Sequence, residues 1–145
     1  MKEEHTDCVF CSIIEGRLES STVYEDDTVI AIMDLQPVNP GHVLVIPKTH
    51  LPYIDHAHDD LGAYMFKIGI KINEAIKKSG IPCEGVNYLL ADGEAAGQEV
   101  FHVHLHVFPR FKADGFGFRF SEKYYAPTER TELDRIAAEI KKQIG

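Results

Sequence analysis

Apolar and polar residues alternate strictly over residues 101–109, which read Phe-His-Val-His-Leu-His-Val-Phe-Pro. Period two marks a strand, because successive side chains point to opposite faces. The stretch predicts a strand with Phe101, Val103, Leu105 and Val107 on an inward apolar face and His102, His104 and His106 on the other. Residues 22–25 and 28–33 are apolar and β-branched and flank Asp26-Asp27, a pair suited to a turn, so they predict two further strands. Residues 42–46 read as a mostly apolar, central strand stopped by Pro47, and residues 85–90 as another. The period then changes. Leu61, Tyr64, Met65, Ile68, Ile72 and Ile76 recur at three and four, predicting a helix that starts near Asp59-Asp60 and closes at Lys77-Lys78-Ser79-Gly80. A last helix is expected over about residues 128–144, with Thr128 as N-cap. Its stripe of Leu133, Ile136, Ala137, Ile140 and Ile144 predicts docking on the sheet. Residues 35–41, with Pro37, Pro40 and Gly41, read as a loop.

At 145 residues the chain is expected to form one domain over 1–145. Apolar content of 44% and charged content of 26% are ordinary for a soluble protein. The net charge of −8 argues against non-specific binding to nucleic acid or to an anionic membrane. The charged start carries no apolar leader segment, and no apolar run is long enough to span a bilayer. Three cysteines without a secretion signal point to a reducing compartment, with the cytoplasm as the default.

The histidine stretch carries the chemistry. Three imidazoles at spacing two repel one another when protonated and need a partner for every ring nitrogen when buried. Nucleophile, acid–base and ligand roles all remain open at this spacing. Cys8-x-x-Cys11 offers two thiolates to one metal, or a redox pair, although that motif belongs after a βαβ strand and only seven residues precede Cys8. Zinc needs four ligands, and His50, just past the strand that Pro47 stops, is a candidate for one. Cys83 is remote and reads as incidental; His42, His56 and His58 read as surface, and Tyr64 and Met65 as core. Asp34 is either a strand-end cap or an acceptor for a sugar hydroxyl pair. The small-residue loop 92–98 is either a plain hairpin or a place where backbone amides approach a phosphate. Arg110 either pairs an anion or is solvated or salt-bridged.

Residues 97–108 resemble the signature of the histidine triad (HIT) family, His-φ-His-φ-His-φ-φ, and residues 8–16, 23–27 and 34–50 look like its microbial members. The similarity covers about residues 7–115. It implies an α+β, HIT-like fold: an antiparallel sheet of about five strands with two main helices, in a homodimer. It implies a hydrolase that cleaves a nucleoside 5′-monophosphate, purine-bearing, from an amine or phosphate leaving group through a nucleotidyl-histidine. By the resemblance His104 is the nucleophile and His106 lies against the phosphate. The backbone at Gly97, Gln98, Glu99 and Val100 is expected to face the phosphate too. Asp34 takes the ribose, and Ile32 and Phe10 wall the base. Zinc-carrying members imply a structural ion on Cys8, Cys11, His50 and His102, a closed ligand set.

Two positions depart from the family pattern. Ala91 stands where hydrolase branches commonly carry Asn or Gln, and Glu99 where they carry Ser or Thr. The transferase branch has Gln at the third triad position, so His106 favours hydrolysis. The alternatives are a dinucleoside polyphosphate hydrolase, a nucleotide-binding module with little turnover, and a metal-binding protein that uses all three triad histidines.

Overall fold

A computed structural model describes residues 7–145; the charged start, residues 1–6, lies outside the described residues. Two compact units make up the chain, Met1–Asp114 and Gly115–Gly145. The first holds helix α1 (Val9–Ile14), strands β1 (Thr22–Glu25), β2 (Val29–Met33) and β3 (Val43–Pro47), helix α2 (Asp59–Lys78), and strands β4 (Gly85–Leu89) and β5 (Leu105–Arg110). All five strands form one antiparallel sheet in the order β1-β2-β3-β5-β4. The α+β architecture is the one expected, and β3 is central.

Alternation along each strand sorts the apolar residues onto two faces. Val29, Ala31, Val43, Val45, Leu105 and Val107 pack against Met65, Ile68, Ile72 and Ile76 of α2. The helical stripe and the strand pattern meet there, and helix and sheet close tightly at Gly69. A Cβ added to Gly69 would stand 3.2 Å from Leu105 Cδ2 and 3.3 Å from Val107 Cγ2. Ile30, Ile32, Leu44 and Ile46 point the other way and pack with Phe10 of α1. The turn between β1 and β2 is built on Asp26, whose Oδ1 accepts from Thr28 N and Val29 N, each at 2.8 Å. Tyr24 and Tyr64 donate to its Oδ2, tying that turn to α2.

Two expectations change. The strand predicted over 101–109 begins only at Leu105. The preceding segment is irregular, drawn toward a neighbouring loop by Val103 N donating to Leu51 O at 2.7 Å. Phe101 therefore leaves the inward face and is 41% exposed. The second change concerns the second unit, which holds α3 (Arg130–Gln143), capped at Glu129 rather than at Thr128. The cysteine pair opens a helix: Cys8 is the N-cap of α1, and its sulfur accepts from Cys11 N at 3.3 Å. Among the described residues no helix is long and apolar enough to cross a membrane.

Candidate active site and metal cluster

One row across the sheet positions the site. Register pairs Ile32 with Leu44, Leu44 with His106, and His106 with Leu89. These four side chains stand side by side on the face away from α2, and all line a cavity of about 670 Å³. Asp34, His42, Phe10, Val100, Gly97, Glu99 and His104 line the same cavity. The structure thus brings together Phe10, Ile32, Asp34, His104, His106 and the 97–100 segment, which are far apart in the chain.

His42, expected at the surface, is 3% exposed and belongs to this cluster. Its own strand held the signal: period two puts His42 on the face of Leu44 and Ile46, the site face. His56 and His58 are exposed, as expected.

Hydrogen bonds fix the imidazole tautomers, because a carbonyl only accepts and an amide N–H only donates. Val38 N donates to His42 Nδ1 at 3.0 Å, so neutral His42 carries its proton on Nε2. That Nε2 lies 2.9 Å from His106 Nδ1, which must accept, so His106 carries its proton on Nε2. His104 Nδ1 donates to the His102 carbonyl at 2.8 Å, leaving Nε2 with a free lone pair. Among the described residues His104 Nε2 has no partner, and the ring, only 7% exposed, opens onto the cavity.

Burial lowers the pKa of His104, against a smaller opposing pull from its bond to the His102 carbonyl and from Asp34. Burial, with His104 and His42 nearby, pushes His106 down to about 4, and burial lowers His42. All three shifts favour the neutral imidazole.

Asp34 closes the turn after β2 and also faces the imidazoles. Its Oδ1 accepts from Gln36 N at 2.8 Å, while Oδ2 lies 3.5 Å from His42 Nε2 and 4.0 Å from His106 Nδ1. Asp34, His42 and His106 stand close enough to suggest a metal group. The Val38 amide rules against it, because it occupies the acceptor nitrogen of His42 and leaves a protonated Nε2 facing the others.

The small-residue loop is more specific than its sequence. Gly97 N donates to Glu94 O at 2.9 Å and Gln98 N to Gly93 O at 3.1 Å, so both amides are committed to the turn. The Gln98 side chain donates to Pro52 O and Val100 O and accepts from Gly93 N, bolting the loop to its neighbours. The amides of Glu99 and Val100 have no acceptor among the described residues. Arg110 is turned away from the site, bonding Asp114 and Asn87.

A second cluster adjoins the first. One sulfur or nitrogen from each of Cys8, Cys11, His50 and His102 lies within 4.8 Å of the others. Cys8 Sγ is 3.3 Å and Cys11 Sγ 3.5 Å from His102 Nδ1, Cys11 Sγ is 3.3 Å from His50 Nδ1, and the two Nδ1 atoms are 3.2 Å apart. Tetrahedral zinc with ordinary bond lengths gives ligand–ligand edges of roughly 3.3–3.6 Å, so the set fits such an ion. His102 Nε2 donates to Pro47 O at 2.7 Å, which aims the Nδ1 lone pair at the cluster. Burial and the neighbouring Cys8 push the Cys11 thiol up to about 12. Cys83 lies elsewhere, its thiol on Gly85 O.

A sequence model of the HIT domain matches residues 15–113. A HIT-like protein of Borreliella burgdorferi is 45% identical over 125 residues, covering 86% of this chain and 90% of that one. An adenylylsulfatase of Arabidopsis thaliana, HINT3, is 39% identical over 109 residues, 74% of this chain and 54% of that one. Among solved structures, a HIT family protein of Bacillus subtilis superposes with a TM-score of 0.86 at 38% identity, covering 96% of this chain and 98% of that one. A zinc-bound histidine triad protein of Mycobacterium smegmatis superposes at 0.73 with 39% identity, covering 89% and 88%.

Proposed function

This chain belongs to the HIT domain family, and on that premise we propose that it hydrolyses nucleoside 5′-phosphoramidates through a nucleotide covalently held on His104. One observation carries the reading: His104 donates its Nδ1 proton to its own chain and turns a bare Nε2 into the cavity. Attack by Nε2 forms the N–P bond as the P–N bond to the amine breaks. The amine keeps the bonding pair and takes up a proton. Water then cleaves the histidine–phosphorus bond, releasing the monophosphate and neutral imidazole. His106 holds its Nε2 proton toward the phosphate oxygens, and the Glu99 and Val100 amides add two donors. One such donor is worth roughly 3 kcal/mol in a transition state. Gly97 and Gln98 serve by shaping the turn. Asp34 Oδ2 accepts the ribose hydroxyls, and Phe10 and Ile32 wall the purine.

Zinc on Cys8, Cys11, His50 and His102 has a structural role in this reading. It ties α1 to the segment ahead of β5, so the metal neighbours the nucleophile without joining the chemistry. The free thiols suit a reducing compartment such as the cytoplasm. A homodimer is supported by exposed Phe66, stacked on Tyr88 of β4, the strand at one end of the sheet order.

The test is to mix the protein with adenosine 5′-phosphoramidate, quench at alkaline pH and map the adduct by mass spectrometry. A mass gain of one adenylyl group on His104 is expected. Steady hydrolysis with no adduct at any quench time overturns the reading.

A further inference from the structure

Helix α2 meets the sheet unevenly. Over β4 and β5 the contact is close, and a Cβ added to Gly69 would stand 3.3 Å from Tyr88 Cε1 as well as against Leu105 and Val107. Over the other half of the sheet a cavity of about 270 Å³ opens between α2 and strands β1, β2 and β3. Ile68, Lys71, Ile72, Ala75, Ile76 and Ser79 line it from the helix, at the three- and four-residue spacing of one face. Val43, which lines it from β3, belongs to the α2 face of the sheet, whereas its neighbour Leu44 stands beside His106. The cavity therefore lies on the opposite side of the sheet from the triad.

Two features shape it. Val23 and Tyr24 are consecutive, yet both line the cavity, although strand alternation would send them to opposite faces. A β-bulge permits it: Thr22 pairs with Ile32 and Tyr24 with Ala31, so Val23 is an extra residue in β1. The second feature is the charge. Tyr24 and Ser79 bring hydroxyls to the lining, and both are committed. Tyr24 donates to Asp26 Oδ2 at 2.8 Å, while Ser79 Oγ donates to Ile76 O at 2.7 Å and accepts from Ile81 N at 3.2 Å. Lys71 is the one charged residue of the lining. It is exposed, and its ammonium has no hydrogen bond or ion pair among the described residues. The rest of the wall is aliphatic, with Ile68, Ile72, Ile76, Ile81, Met33 and Val43.

We propose that this cavity binds a medium-chain aliphatic monocarboxylate, with the alkyl chain between α2 and the sheet and the carboxylate on Lys71. The chemistry of the lining sets the ligand. An alkyl chain asks nothing of walls whose hydroxyls are already engaged, and one unpaired ammonium at the edge matches one anionic head. Size sets the length. At roughly 30 Å³ for a group the size of a water, the cavity holds about nine such groups, which suits an acid of about eight carbons. The stretch of α2 from Lys71 to Ser79 is about 12 Å long at 1.5 Å per residue, enough for such a chain to lie along the helix. A nucleotide finds no partner here for its base or ribose, and a cationic amphiphile is repelled by Lys71.

The test titrates the full chain with octanoate, butyrate and octylammonium, reading affinity by calorimetry and location by backbone amide shifts in NMR. Octanoate is expected to bind about tenfold or more tighter than butyrate, because it buries more methylenes. It should bind about threefold or more tighter than octylammonium, the span expected of one exposed charge pair. The largest amide shifts should centre on Gly41, Ala75, Ser79 and Ile81. Lys71→Met should remove the preference for octanoate over octylammonium. Ala75→Leu fills the cavity from an exposed helical position that tolerates leucine, and should weaken octanoate about tenfold or more. Equal affinities for octanoate and butyrate, shifts centred on Phe10 and Ile32 in the other cavity, or octanoate binding that Ala75→Leu leaves intact overturns the proposal. So does a cavity covered by a second copy, which would show as no octanoate binding together with a change of oligomeric state in Ala75→Leu.

Discussion

The two faces of the sheet are made from the same strands and do opposite jobs. Toward α2 the side chains are Val, Ala, Ile, Leu and Met, nearly all without access to solvent. They hold the fold by burial and close packing, and any of them can be exchanged for a residue of similar shape. On the other face Ile30, Ile32, Leu44 and Ile46 share space with imidazoles and thiols that are almost as deeply buried. There four imidazoles are each placed by a particular partner: Pro47 O for His102, His102 O for His104, Val38 N for His42, His42 for His106. A packed face tolerates substitution and fails in stability. A hydrogen-bonded face tolerates little and fails in chemistry.

The contrast is broken most directly by a pair of truncations. His104→Ala should lower kcat about 10³-fold or more, with a thermal midpoint close to the unaltered protein, because it removes a nucleophile and leaves the packing above α2 alone. Met65→Ala should do the reverse, costing about 2–5 kcal/mol in denaturant unfolding while kcat of the folded fraction stays within a few fold. If the two effects are exchanged or equal, the division between faces is wrong.

The metal cluster sharpens the comparison next. One zinc per chain is expected by elemental analysis, kept by His104→Ala and lost or weakened about tenfold or more in His102→Ala, although the two histidines are near neighbours. A smaller effect follows from the imidazole chain. His42→Ala removes the donor that sets the His106 tautomer and should lower kcat about tenfold with little change in KM. His42→Gln, whose amide can still donate, should recover part of the loss.

The smallest expected effect lies on the α2 side, at the hydrogen-bonded carboxylate of Asp26. Partial burial works to raise the Asp26 carboxyl. Hydrogen bonds from Tyr64, the Val29 amide, Tyr24 and the Thr28 amide outweigh it and hold the group well below the usual carboxylate range. Because the folded carboxyl ionises below its unfolded counterpart, its stabilisation is complete above about pH 4 and fades as pH falls toward the folded value. Asp26→Asn should therefore cost roughly 1–2 kcal/mol at pH 7, and the gap in stability between the two proteins should narrow steadily as pH falls below about 4. A gap that stays constant between about pH 4 and pH 2 would show that the charge is not the cause.

Periodicity alone sufficed for the strands 22–25 and 28–33, for α2 and its buried stripe, and for the turn at Asp26-Asp27. In each case one local rule decides the outcome: which side of a strand or helix is apolar, and which residues close a turn. The cluster Cys8, Cys11, His50 and His102 and the triad His102, His104 and His106 were legible through resemblance to known motifs, and only their residue types were legible from spacing. His42 was misplaced even though its face could be read, because a single histidine beside a loop has nothing in sequence to say what covers it. Phe101 was misplaced for the opposite reason, since an apolar residue in good register need not find a partner.

What the chain order determined by itself was local: the element types, the inward faces, and the crowding of imidazoles at spacing two. What only the folded molecule decided was which distant groups meet and which proton each ring carries. Ile32, Leu44, His106 and Leu89 come from four strands and are joined by register, which backbone hydrogen bonds set between segments far apart in sequence. The free Nε2 of His104 depends on a carbonyl two residues away being turned toward it. That orientation is a property of the irregular turn ahead of β5, formed where the segment is pulled onto Leu51 and not where its own alternation would have continued the strand.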